Sequence, residues 1–360
     1  MPRTDPIASM LADMIRDSTH GSPWHTLAEA TSDLTAKDLT FKPARVPVGW
    51  GQPHRNLQII RRALGHLLCA EEYADALAPR TRMKVEGEWD AVTAKEASKT
   101  PDGLTGALDV CFRRLHARAS KVTDAGLAET CAMWHGAPKM LVMMDGGVLH
   151  QAWHLGQVAM LVGMSHARKK AKIAKPEGHA PLAPKYPGER DRSDCHASSR
   201  IEACLRLLDM SFGESPWHSM ALATKSLTRR EVNWRPYEWD VLWYSIRDLM
   251  MHVAACKVMY ANHGFGDRQL DWPDVAPLMG QMDWDKVGPK GLRRVLLLSQ
   301  DYLRDLVSDA TDEDLDRVNP MHHGQKLTGW QVVACMAQHD AWHGGQISIL
   351  RDTHAALCEG

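Results

Sequence analysis

The chain is short of several things. No stretch of its 360 residues approaches the about 20 uninterrupted apolar residues that a membrane-spanning helix needs. The opening "MPRTDPIASMLADMIRD" also lacks the long apolar segment of a secretory leader, so a cytoplasmic protein without membrane partners is expected. Net charge is nearly absent, at -1, with both signs interspersed, which removes the basic footprint of a nucleic-acid binder and leaves small molecules or another subunit as partners. The 8 cysteines include no CxxC pair, a poor match to a zinc ribbon or a disulfide framework, and reduced thiols are expected. Strand signals are nearly missing, which points to an all-α chain.

Histidine and tryptophan are plentiful instead, with 19 and 13 copies, and much of the chain is written twice. "GSPWHTLAEATSDLTAKDLTFKP" (Gly21 to Pro43) aligns without a gap on "ESPWHSMALATKSLTRREVNWRP" (Glu214 to Pro236). "RALGHLLCAEEYADAL" around His66 aligns with "RDLMMHVAACKVMYAN" around His252, "MWHG" (Met133 to Gly136) with "MHHG" (Met321 to Gly324), and "LHQAWHLGQV" with "QHDAWHGGQI". A unit this long is a duplicated domain and not a solenoid repeat. The segment 166–194, rich in Lys, Pro and Gly, reads as a linker between a first domain, 1–165, and a second, 195–360.

Each copy has helical periodicity. Ser22-Pro23 and Ser215-Pro216 read as an N-cap followed by proline at the first helical position, which predicts that helix one starts at Pro-Trp-His. Thr35 and Thr228 stand three residues before Asp38 and Glu231, a capping-box pattern. Helix two carries His66 or His252 within an apolar stripe. "GLTGALDVCFRRLHARA" and "GLRRVLLLSQDYLRDLV" form helix three, and the segments ending in the HxxxH pairs form helix four. Four helices per copy predict two tandem four-helix bundles.

On a helix, residues four apart share one face, so His150/His154 and His339/His343 each aim two imidazoles at one centre. A third ligand must come from another helix, and His66 and His252 supply it. Three neutral imidazoles leave a coordination position open, the catalytic pattern for zinc, and nickel or iron also accept such ligands. The same three positions are histidine in both copies although the surrounding helices have diverged. His25 and His218 in "SPWH" are retained too, with helix-start packing as one reading and a positioning or substrate-facing role as the other. His135 and His323, also retained, read as turn residues, with a positioning or substrate-facing role as the alternative, and Trp153 and Trp342 read as packing residues facing another side of helix four. Cys69, Cys256 and Cys335 lie near the triads in sequence but read as small core residues outside the ligand set.

A histidine in helix two followed far downstream by HxxxHxGQ resembles the DinB-like superfamily, including its metal-dependent thiol transferases. "LTAKDLTFKP" and "LTRREVNWRP" are similar to that family's connection between helices one and two. The resemblance implies up-down-down-up bundles packed as an intramolecular pseudo-dimer. One divalent ion, zinc first, would sit on His66, His150 and His154 and another on His252, His339 and His343. It further implies transfer of a low-molecular-weight thiol to an electrophile. A non-enzymatic metal-binding or stress-associated bundle and a metal-assisted hydrolase are the alternatives. "HDAWH" is also similar to the HExxH zinc-protease helix, with Asp340 at the general-base position. The first copy has Gln151 there, which argues against a peptidase; Asp340 stays a candidate catalytic group beside His25 and His218.

Overall fold

A computed structural model describes residues 4–22, 24–43, 59–77, 100–131, 136–176, 195–238, 242, 244–270, 284–321 and 324–359. His135, His323, the first-copy insertion at 44–56 and most of the predicted linker (177–194) lie outside the described residues. Within them the chain is helical, apart from an antiparallel pair, β1 (Val318–Pro320) with β2 (Lys326–Thr328), and one isolated bridge. None of these helices is long and apolar enough to cross a membrane.

In the first half, α1 (Pro6–Arg16) and the short α2 (Leu27–Thr31) precede a helix two that is broken by a 3-10 turn into α3 (Ile60–His66) and α4 (Ala70–Ala76). Then come α5 (Pro101–Ala119) and α6 (Lys139–Leu141), which runs through a π-helical stretch, Val142–Leu149, into α7 (His150–Ala167). The second half follows the same plan with α8 (Arg200–Asp209), the short α9 (Met220–Ala223) and α10 (Arg229–Asn233), and α11 (Ile246–Phe265). It ends with α12 (Trp284–Ser308), kinked at Gly288 where φ is 63°, then α13 (Asp312–Asp316) and α14 (Gly329–Glu359). The apolar stripes face inward as the periodicity requires: Ile7, Met10, Leu11, Met14 and Ile15 of α1 are all buried.

One local expectation is corrected. The Ser-Pro signals do not begin helix one, which lies upstream as α1 and α8. Each of these helices ends in a π-turn, Asp17–Gly21 and Met210–Glu214, where the amides of Ser22 and Ser215 close wide bonds to the carbonyls of Asp17 and Met210. The following "WH" is a non-helical connection. The Ser215 hydroxyl accepts from the amides of Trp217 and His218, as an N-cap would, yet the chain then turns away. His25 sits at φ 64°, a left-handed conformation that no continuing helix allows. The Thr-x-x-Asp/Glu signals differ in outcome: Thr228 and Glu231 form a capping box on α10, whereas at Thr35 only half of one forms, with Asp38 accepting from the Thr35 amide and, in place of the reciprocal bond, from its hydroxyl.

The two halves meet where α7 crosses α14, and the contact is reciprocal between equivalent positions. A Cβ on Gly156 would lie 2.0 Å from the carbonyl oxygen of Trp342, and a Cβ on Gly345 would lie 2.0 Å from that of Trp153. Only hydrogen fits at either position. The glycine of HxGQ is therefore the crossing point of the two helices, and the tryptophan of each "AWH" is the backbone it crosses.

Candidate metal centre

In the second half, α11 carries His252 and α14 carries His339 and His343 one turn apart. Their ring centroids are 4.4 to 5.0 Å apart, and the Nε2 atoms of His252 and His339 stand 3.1 Å from each other. In the first half, His66 at the end of α3 meets His150 and His154 of α7 with centroids 4.5 to 5.1 Å apart and the same 3.1 Å between Nε2 atoms of His66 and His150. Two nitrogens this close need either a shared proton or a shared ion between them.

The glutamine of HxGQ fixes one imidazole in each cluster. Ser348 donates its hydroxyl to the Gly345 carbonyl and accepts from the Gln157 amide nitrogen at 2.9 Å, which turns the Gln157 oxygen towards His154 Nδ1, 2.7 Å away. His154 therefore carries its proton on Nδ1 and presents the Nε2 lone pair to the cluster. Gln346 stands 2.6 Å from His343 Nδ1 in the same relation. Orientation of a ligand histidine through its other nitrogen is a hallmark of metal sites.

Burial sets the protonation state of the second cluster. It pushes His252 down to about 4, and it drives His339 and His343 well below the ordinary histidine range, with neighbouring imidazoles adding to the effect. All three are neutral at pH 7, the form that binds a metal. His343 Nε2 and His339 Nδ1 are buried without a hydrogen-bond partner, a cost that an ion or its bound ligand would offset at Nε2. The donor set thus fits a divalent ion of the imidazole-binding group.

His25 and His218 are placed in a way that sequence reasoning did not foresee. His25, from the first half, lies against the second-half cluster, with its ring 5.1 Å from His339 and 5.4 Å from His343. His218, from the second half, lies against the first-half cluster, 5.0 Å from His150 and 5.8 Å from His154. Each also rests on the tryptophan of the opposite "AWH": His25 stacks on Trp342 at 4.9 Å and His218 meets Trp153 edge-on at 6.0 Å. His218 Nδ1 is held by Asp145 Oδ1 at 2.9 Å, and the Ser215 hydroxyl donates to the same oxygen at 3.0 Å. Asp145, fully buried in the π-helical stretch, stands inside the apolar run "MLVMMDGGVL", where nothing local marks it as functional.

Asp340 has other partners. It is fully buried, its Oδ2 lies 2.7 Å from Lys257 Nζ, and it accepts from the Ser211 hydroxyl at 3.1 Å. Lys257 also donates to Gln300 at 2.6 Å and sits over the Phe212 ring. Burial pushes the Lys257 ammonium down and the Asp340 carboxyl up, and each partner opposes that shift in the other. This pair joins α11 to α14. The cysteines approach more closely than their sequence positions suggest: Cys69 Sγ is 3.7 Å from His150 Nε2, and Cys256 Sγ is 3.7 Å from His252 Nε2. Burial pushes the Cys256 thiol up to about 12, so it stays protonated where it stands.

Two cavities flank the second-half cluster. One, about 350 Å³, is lined mainly by apolar groups, among them Trp24, Met259, Tyr260 and Met336, and reaches His25, His252 and His339. The other, about 400 Å³, is more polar, with Glu29, Asp33, His166 and Gln346 in its wall, and reaches His25, His252 and His343.

No curated protein and no solved structure matches the chain. Residues 214–347, which hold His218, His252, His339 and His343, match the model of the DinB superfamily.

Proposed function

We propose that the protein is a divalent-metal-dependent enzyme of the DinB type, built from two such bundles as an intramolecular pseudo-dimer, that transfers a low-molecular-weight thiol to an electrophile. The observation that carries this reading is the convergence of two cavities of different character on one histidine cluster. A transfer between two substrates needs two places that meet at the reacting atoms. A divalent ion, with zinc, nickel or iron as candidates, would supply acidification of a bound thiol, so that a thiolate exists at neutral pH.

The chain's own residues do the rest. Gln346 and Gln157 hold His343 and His154 with Nε2 facing inward. Trp24, Met259, Tyr260 and Met336 offer an apolar wall to the electrophile, and the polar wall suits the thiol's hydrophilic body. In the transfer the sulfur–carbon bond forms as the carbon–leaving-group bond breaks; the leaving group departs with the electron pair and the thiol proton goes to solvent. Protein purified without an affinity metal should accelerate the reaction of monobromobimane with a thiol, releasing bromide, above its uncatalysed rate, and His154→Ala/His343→Ala should not. Wild-type protein that holds metal yet leaves the reaction at its uncatalysed rate would make metal binding without thiol transfer the function. Hydrolysis of ester or amide probes by that protein would instead favour the hydrolase.

A further inference from the structure

We infer that each metal centre is completed across the boundary between the halves: His25 gives a fourth nitrogen to the His252/His339/His343 cluster, and His218 gives one to the His66/His150/His154 cluster. The inference rests on the metal-binding part of the proposed function and adds the origin and number of the ligands.

Three independent observations point the same way. Ring nitrogens of His25, His339 and His343 all lie within 4.8 Å of one another, and so do those of His150, His154 and His218. Such spacing lets them converge on one ion with small side-chain movements. The crossing imidazoles are also built into place. Asp145 accepts a hydrogen bond from His218 Nδ1, the carboxylate–histidine arrangement that orients metal ligands. His25 is held in a left-handed backbone conformation, with its amide donating to the Glu29 carboxylate and its ring stacked on Trp342, while its buried Nδ1 has no hydrogen-bond partner. Backbone strain of this kind persists where surrounding contacts impose it, and it clusters at binding sites. The exchange is also reciprocal, since the histidine of each "SPWH" lies against the histidine cluster and the tryptophan of the other half. Packing alone asks only for a flat ring against tryptophan and gives no reason for imidazole in both copies.

Two consequences follow for the chemistry. Neither half contains a complete site, so the covalent joining of the copies secures what separate domains would have to find by association. A tetrahedral ion would be filled by four nitrogens, whereas an ion that takes five or six ligands keeps positions open towards the two cavities. The four-nitrogen set therefore favours nickel, iron or cobalt over zinc in a working centre.

The test uses the full chain, stripped with a chelator and titrated with cobalt(II) by calorimetry and by visible absorption. His154→Ala isolates the second-half site, and His343→Ala isolates the first-half site. With His154→Ala as background, adding His25→Asn should weaken cobalt binding at least about tenfold and change the d–d spectrum, and adding His218→Asn should do neither. With His343→Ala as background the pattern should reverse. Far-UV circular dichroism and gel filtration check that each variant keeps its fold, and asparagine keeps a polar planar group in place of the ring. Affinities and spectra that ignore the opposite half's histidine would overturn the inference while leaving the metal-dependent reading intact. A wild-type chain that binds no cobalt would overturn both.

Discussion

Gln157 of the first half and Ser348 of the second share a hydrogen bond of 2.9 Å, and through it the tautomer of His154 is set by a residue of the opposite bundle. The HxGQ motif thus encodes three things: a cluster histidine, a glycine that lets α7 and α14 touch backbone to backbone, and a glutamine that aims the histidine.

Replacing that glutamine should loosen the aim without dismantling the fold. For Gln157→Leu the expected outcome is a loss of about tenfold or more in metal affinity at the first-half cluster, in the range typical of groups that orient a ligand. The second-half cluster, aimed by Gln346, should keep its affinity. Calorimetric titration that resolves two classes of site checks this, and equal affinities in wild type and variant would show that His154 needs no orienting partner.

Gly156 and Gly345 test the crossing itself. Alanine at either position places a methyl group 2.0 Å from a tryptophan carbonyl oxygen, so the helices must separate. Overpacking at a rigid backbone contact costs about 1–3 kcal/mol, and Gly156→Ala should lower the midpoint of urea unfolding accordingly. Because Ser348 and the crossing histidines lie along the same seam, metal affinity should fall at both clusters together. A variant as stable as wild type would mean that the halves do not need this close approach.

That these histidines gather in two clusters could be anticipated because the sequence resembles itself: the same three positions are histidine in two stretches whose surroundings differ. The helices follow the periodicity, except that Ser-Pro mimics a helix start. A serine hydroxyl accepting from the next amides looks the same in sequence whether a helix follows or, as at His25, the backbone turns left-handed. What no local pattern reveals is contact between halves. Asp145 gains its role only from His218, and Asp340 meets Lys257 from a different helix. Resemblance of "HDAWH" to a protease helix suggests a base at Asp340, whose partners here are Lys257 of α11 and Ser211 of the turn after α8.

The Lys257–Asp340 pair predicts an asymmetry between single and double substitutions. Both groups are fully buried, so removing one leaves the other charged and unpaired, a loss of about 3–5 kcal/mol. Lys257→Met should destabilise the chain by that order, and so should Asp340→Leu. Joining Lys257→Met with Asp340→Leu should recover much of the loss, because neither charge then needs solvation. Chemical denaturation of the four proteins closes the cycle. Metal content unchanged in folded Asp340→Asn would agree with a structural pair, whereas loss of turnover with metal and stability intact would restore Asp340 as a catalytic group.

Asp38 gives the pH dependence a sign. It is fully buried, which by itself raises its pKa, but hydrogen bonds from the Ser165 hydroxyl and from the hydroxyl and amide of Thr35, with His166 nearby, outweigh burial and hold it below the usual carboxylate range. In the unfolded chain the same group titrates near 3.9, roughly. Between these two values the unfolded state binds a proton that the folded state does not, so stability rises with pH there, by about 1.4 kcal/mol per pH unit for a single group. The contribution is therefore complete above about pH 5 and is lost as the pH falls from the unfolded value through the lower folded one. Asp38→Asn removes it at all pH values. The stability gap between wild type and Asp38→Asn should accordingly be constant from pH 7 to about pH 5 and narrow steadily below that. Urea unfolding at a series of pH values measures the gap directly, and a gap that widens on acidification would place the Asp38 carboxyl above its unfolded pKa.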